Sequence, residues 1–131
     1  MNYDIDERNR AFHLLDKLGN LEQYEIEKYF SDDILKPISV LLNELSDDKS
    51  LPGSLSQADF SELILELRKI KRVWGRKLGD AIILAANKAE SEDIDGAINV
   101  LEDFIKNCTS PFHRRHAQNQ IEYYIKKGTG S

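Results

Sequence analysis

This chain of 131 residues contains one cysteine, one tryptophan, three prolines and seven glycines. Cys108 has no partner for a disulfide within the chain, which favours a compartment where thiols stay reduced. The longest apolar run is Ala81 to Ala86, whereas a helix that crosses a membrane needs about 20 apolar residues. The first ten residues, MNYDIDERNR, are polar and acidic and do not resemble a signal peptide. We therefore expect a cytoplasmic protein that does not enter a membrane.

The sequence also lacks the motifs that catalytic and cofactor sites require. Gly75 and Gly79 do not follow a strand, so they cannot form a phosphate-binding loop. Cys108, His113 and His116 are zinc-ligand types, but a structural zinc site needs four ligands and no fourth stands out. As a Cys–His nucleophile pair they would also need an orienting third group and an oxyanion hole, and nothing marks either. We expect no catalytic residue, no metal ligand and no cofactor.

What the sequence does contain is a series of apolar stripes with helical spacing. One stripe has Ile38, Leu41 and Leu45, and another runs from Phe60 to Ala89 as two helices or one kinked helix. These patterns predict an all-α fold of about six or seven helices, packed as antiparallel hairpins in one domain over residues 1–127. The segment SDDKSLPGS predicts a loop near residues 46–55 that separates two halves. Residues 128–131, GTGS, look like an expression scar.

Polar residues mark several helix ends. Asp6 is a predicted N-cap of the first helix, and Gly19 suits a left-handed position after its end. Ser56 and Asp59 have the spacing of a capping box. Asp93 is the predicted N-cap of the helix that follows the turn ESEDID.

Charge is distributed in blocks along the chain. Residues 1–66 hold 15 acids and 6 bases, residues 67–88 hold 1 acid and 7 bases, and residues 89–107 hold 6 acids and 1 base. The basic segment RKIKRVWGRK, residues 68–77, offers phosphate contacts and Trp74 as a stacking surface for nucleic acid. Helical spacing instead places Trp74 on the buried stripe and the bases on a solvated face, where acids of the neighbouring blocks can pair with them. The net charge of −5 opposes nucleic-acid binding, so we do not expect a nucleic-acid partner.

The hairpin from Leu84 to Ile105 resembles one tetratricopeptide unit. Leu84-Ala85, Ala97-Ile98 and Leu101 lie at the distances of that repeat, and the two alanines would let its helices approach closely. No second copy follows at a period of about 34 residues. The C-terminal half is therefore expected to be repeat-like without forming an array.

In size, acidic charge and this hairpin with its ESEDID turn, the chain resembles bacterial immunity proteins, including those of contact-dependent growth inhibition systems. The resemblance implies a non-enzymatic protein that binds and neutralises a cognate toxin domain, often a nuclease, which we expect to be basic. Acids at loops and helix starts project from the scaffold, so the residues expected to bind this partner are Asp47, Asp48, Glu92, Asp93 and Asp95. Two alternatives remain: a tetratricopeptide-like adaptor or regulatory domain that binds a peptide, and a nucleic-acid-associated protein that uses residues 68–77.

Overall fold

The computed structural model describes residues 4–129, which form six α-helices and no strand and confirm the all-α prediction. The helices are α1 (Ile5–Gly19), α2 (Gln23–Glu27), α3 (Leu35–Leu45), α4 (Gln57–Glu90), α5 (Ile94–Asn107) and α6 (Pro111–Thr129), with a 3-10 turn (Asp32–Ile34) before α3. The predicted loop near residues 46–55 lies between α3 and α4. Of the residues interpreted as an expression scar, 128 and 129 lie in α6, and 130 and 131 lie outside the described residues.

The chain folds as two compact units, one up to Lys71 and the other from Arg72 onward. The boundary between the units falls inside α4, which is one helix of 34 residues and continues through Gly75 and Gly79. The first unit carries 15 acids and 9 bases, a net charge of −6, and the second carries 8 acids and 9 bases, a net charge of +1. The negative charge of the protein therefore belongs to the first unit.

In the first unit, α1 packs against α3 around a core that α4 completes with three fully buried side chains, Phe60, Ile64 and Leu67. The start of α4 is fixed by the predicted capping box. The Asp59 amide donates to Ser56 Oγ at 3.0 Å, and the Ser56 amide donates to Asp59 Oδ2 at 3.3 Å. Two otherwise unsatisfied amides of the helix start are thereby paired.

The predicted ends of α1 were wrong. Asp4, and not Asp6, is the N-cap, since Asp4 Oδ1 accepts a hydrogen bond from the Glu7 amide at 2.7 Å. Gly19 is the last residue of the helix and is not left-handed. The Arg68 side chain lies so close that a Cβ on Gly19 would be 2.6 Å from Arg68 Cδ. A side chain at this position would force Arg68 to move, so glycine leaves room for this long-range neighbour.

The second unit packs the C-terminal part of α4 with α5 and α6. Its buried core consists of Leu78, Ala85, Ala97, Leu101, Ala117, Ile121 and Tyr124. Ala85 and Ala97 are fully buried and belong to this core. This hairpin of α4 and α5 positions the surface described next.

Candidate functional site

The turn between α4 and α5 both ends α4 and starts α5. Its hydrogen bonds form a Schellman motif, in which the Asp93 amide donates to the Lys88 carbonyl at 2.9 Å and the Glu92 amide donates to the Ala89 carbonyl at 3.0 Å. Glu92 has a φ of 66°, in the left-handed region that favours glycine. Asp93 Oδ1 accepts from the Gly96 amide at 2.9 Å, which confirms Asp93 as the N-cap of α5. The turn is therefore rigid, and Glu92 holds a strained backbone conformation within it.

All five acids that the sequence marks as candidate contacts are exposed. Asp47 and Asp48 belong to the first unit, where Asp48 Oδ1 accepts from Ser46 Oγ at 2.8 Å. Glu92, Asp93 and Asp95 belong to the second unit and place three carboxylates within four residues. We name these three residues the acidic turn.

A groove lies between α4 and α5 on the same hairpin. It has a volume of ≈ 450 Å³. Its apolar lining consists of Trp74, Ala81, Leu84, Val100 and Phe104. Its polar lining consists of Lys77, Asp80, Asp103 and Asn107. The lining positions on α5 recur at intervals of three and four residues, so they form one stripe of that helix beside its buried stripe.

The apolar wall of this groove is built around two aromatic rings. Trp74 and Phe104 meet edge to face, with ring centroids 5.9 Å apart and an interplanar angle of 85°. Lys77 Nζ lies 4.7 Å from the Trp74 ring centroid. Such contacts contribute about 0.5–1 kcal/mol each and hold the rings in place. Both rings are half-buried and Leu84 is 49% exposed, so the groove presents an ordered apolar surface to solvent.

Two bases of the segment 68–77 contact the C-terminal end of α1. Arg68 Nη1 donates to the Gly19 carbonyl, and Lys71 Nζ pairs with Asp16 Oδ1 at 2.9 Å. The Lys71 pair confirms that a base of this segment pairs with an acid from residues 1–66. Lys77 lies over the Trp74 ring, and Phe104 meets the same ring edge to face. These two contacts cover part of the Trp74 ring that a nucleobase would stack on.

The Cys–His cluster is explained by the start of α6. Cys108 is buried, and its Sγ accepts from the Ser110 amide at 3.4 Å. Ser110 Oγ lies 2.6 Å from His113 Nδ1, and both side chains are buried. His116 is exposed and meets the Phe112 ring edge to face, with ring centroids 4.6 Å apart. Within residues 4–129 no group of three or more histidine, cysteine or carboxylate side chains is placed to hold a metal ion.

The groove was not predicted from the sequence, although α5 carries a signal for it. Ala97, Leu101 and Ile105 already form the inward stripe, and Val100 and Phe104 add apolar positions beside it. An apolar face that extends beyond the positions buried by the two neighbouring helices, α4 and α6, indicates a further contact surface.

No family model, no curated protein and no solved structure matches this chain. In the part of the chain that the structure describes, no helix has the length and apolar character needed to cross a membrane. The case for a function therefore rests on the side chains of the site.

Proposed function

We propose that this chain is a non-enzymatic protein-binding module whose contact surface is the hairpin of α4 and α5. The observation that carries the proposal is the groove, which exposes Leu84 beside an ordered aromatic pair. Exposed apolar surface with a polar rim marks protein interaction sites. Tryptophan in particular is enriched among the residues that dominate binding energy.

The acidic turn is the second part of the proposed surface. A non-glycine residue in the left-handed region costs about 1–2 kcal/mol, so a glycine would suit the backbone at Glu92 better. A carboxylate held at such a position supports a binding role, because strained residues cluster at functional sites. Asp93 and Asp95 flank it, and together the three carboxylates would meet a basic surface.

For the biological role we propose an immunity protein, located in the cytoplasm, that neutralises a cognate toxin domain, with a basic nuclease as the expected target. The support is electrostatic. A net charge of −6 on the first unit attracts a basic partner at long range and raises the association rate. Asp47 and Asp48 contribute to this attraction from the first unit.

The same groove supports a second candidate, an adaptor or regulatory domain that binds a peptide. Ala85, Ala97 and Leu101 are fully buried at the positions that resemble a tetratricopeptide hairpin. The two candidates share one surface and differ in the partner, which is a folded toxin domain in the first case and a peptide segment in the second.

The test first looks for a toxin-like C-terminal domain encoded next to this chain's reading frame and then pairs that domain with this protein. We expect cells that produce both proteins to survive and the two chains to elute as one complex. Reversal of Glu92, Asp93 and Asp95 to lysine should weaken the complex and flatten its salt dependence. Asp93 also caps α5, and loss of a cap costs about 1 kcal/mol, so helicity and urea stability are measured in parallel.

The matched control reverses three other exposed acids, Asp33, Glu62 and Glu122, and changes the net charge by the same amount. Both variants lose long-range attraction, so only a greater loss of affinity in the acidic-turn variant identifies that turn as the contact. If the wild-type protein neither protects cells nor forms a complex, the immunity role is wrong. If it protects and the reversed acidic turn protects equally well, the role stands and the acidic turn is not the contact.

A further inference from the structure

We infer that the groove between α4 and α5 receives a short amphipathic helix from the partner protein, with basic residues flanking its apolar stripe. This inference rests on the function proposed above. The lining of α4 extends from Trp74 to Leu84. At a rise of 1.5 Å per residue this length is about 15 Å, or roughly three helical turns. A partner helix of that length would cover the apolar wall.

The backbone chemistry of the groove favours a helix over an extended peptide. Both walls are α-helices, whose backbone amides and carbonyls are paired within the helix except at its ends. They offer no strand edge to an extended chain, and its backbone groups would lose water without gaining partners. A helix pairs its own backbone, and it can place apolar side chains at i, i+3, i+4 and i+7 along the groove.

The charges of the lining favour basic flanks on that helix. Asp80 on α4 and Asp103 on α5 place a carboxylate on each wall. The cation of the lining, Lys77, has its ammonium over the Trp74 ring. The acidic turn adds three carboxylates where the hairpin closes, beyond Leu84. Lysine or arginine on either side of the occupant's apolar stripe would therefore meet Asp80 or Asp103, and a base at its end nearest Leu84 would meet the acidic turn. Its other end lies next to the basic segment 68–77.

The same charges disfavour a second copy of this chain as the occupant. Two copies that met symmetrically through the groove would bring Asp80 and Asp103 of one copy close to the same carboxylates of the other, and like charges in contact are unfavourable.

The experiment uses Trp74 as a reporter, because it is the one tryptophan of the chain and it lines the groove. Two tryptophan-free synthetic peptides of three to four helical turns are compared. Both carry leucines at i, i+3, i+7 and i+10. They differ only at the positions beside this leucine stripe, which are lysine in one peptide and glutamate in the other. We expect the lysine peptide to change Trp74 emission, to gain helicity in circular dichroism, and to bind at least about tenfold more tightly than the glutamate peptide.

Two variants identify the residues responsible. Asp80→Lys with Asp103→Lys should weaken the lysine peptide by at least about tenfold. Glu62→Lys with Glu122→Lys makes the same change in net charge at exposed sites outside the groove and should leave its affinity within about twofold. Leu84→Ala should weaken both peptides, since it removes apolar contact without touching the buried core.

Four results would overturn the inference: no binding of either peptide, equal binding of both, binding without a change in Trp74 emission, or self-association that Asp80→Lys with Asp103→Lys abolishes. The last result would identify a second copy as the occupant. With the toxin domain, a groove variant that still protects cells would overturn the helix inference and leave the immunity role intact. If the lysine peptide binds as expected while wild type fails to protect, the immunity role is wrong and the groove inference stands.

Discussion

Replacement of Glu92 by glycine should stabilise the second unit. The φ of 66° at this residue costs a non-glycine residue about 1–2 kcal/mol. Glycine removes that cost but loses more conformational entropy on folding, which offsets about 0.4–1 kcal/mol. The expected net gain is about 0.5–1 kcal/mol. With a urea dependence of about 1–3 kcal/mol per molar, the unfolding midpoint should rise by about 0.5 M. Trp74 emission is the assay, because this residue lies in the second unit.

Glu92→Ala is the matched control, because it removes the carboxylate and keeps a Cβ in the left-handed region. Its stability should stay within about 0.5 kcal/mol of wild type. Equal stabilisation by alanine and glycine would refute the strain argument and would assign the gain to the lost charge. If Glu92 contacts the partner as proposed, the glycine variant should be both more stable and a weaker binder.

Two further predictions concern the core of the second unit. Leu101→Ala should destabilise the protein by about 2–5 kcal/mol, because Leu101 is fully buried. Urea titration measures the loss, and Leu84→Ala, at a half-exposed position, is the control. A loss below about 0.5 kcal/mol, no larger than that of the control, would contradict the packing described. Burial raises the pKa of Tyr124, and the nearby Tyr123 and Glu90 raise it further. As pH rises through about 10, Tyr124 therefore ionises first in the unfolded chain. The free energy of unfolding then falls as pH rises from there to the pKa of Tyr124 in the folded protein. Between pH 8 and pH 11 Tyr124→Phe should lose less stability than wild type in urea titrations, and equal losses would exclude Tyr124 as a cause.

The helices were predictable from their apolar stripes, and at two of the six, α4 and α5, a capping residue also marked the start. Apolar stripes gave their inward faces, and Ser56 and Asp93 gave two of their starts. The start of α1 was not predictable in this way, because Asp4 and Asp6 are equally good capping residues two positions apart. Gly19 could not be interpreted correctly from its neighbours, since the reason for it is Arg68, which lies 49 residues further along the chain.

The candidate site was predictable only in part. Acids at turns are usually exposed, and the five expected contacts are exposed. The groove depends on which apolar positions of α4 and α5 remain uncovered after packing. Trp74 and Phe104 show why periodicity cannot decide this, because their rings pack on each other and leave surface open to solvent.

The turn that joins α4 to α5 leaves no spare residue. Ser91, Glu92 and Asp93 separate the helices, and Asp93 serves the end of one helix and the start of the next. A single inserted residue would separate these two roles and shift the register of α5. The loop between α3 and α4 is different, since a Cβ on Gly53 would meet nothing within 4 Å. A fluorescent tag or a protease site therefore belongs near Gly53, where the length of the chain can change without cost to the hairpin.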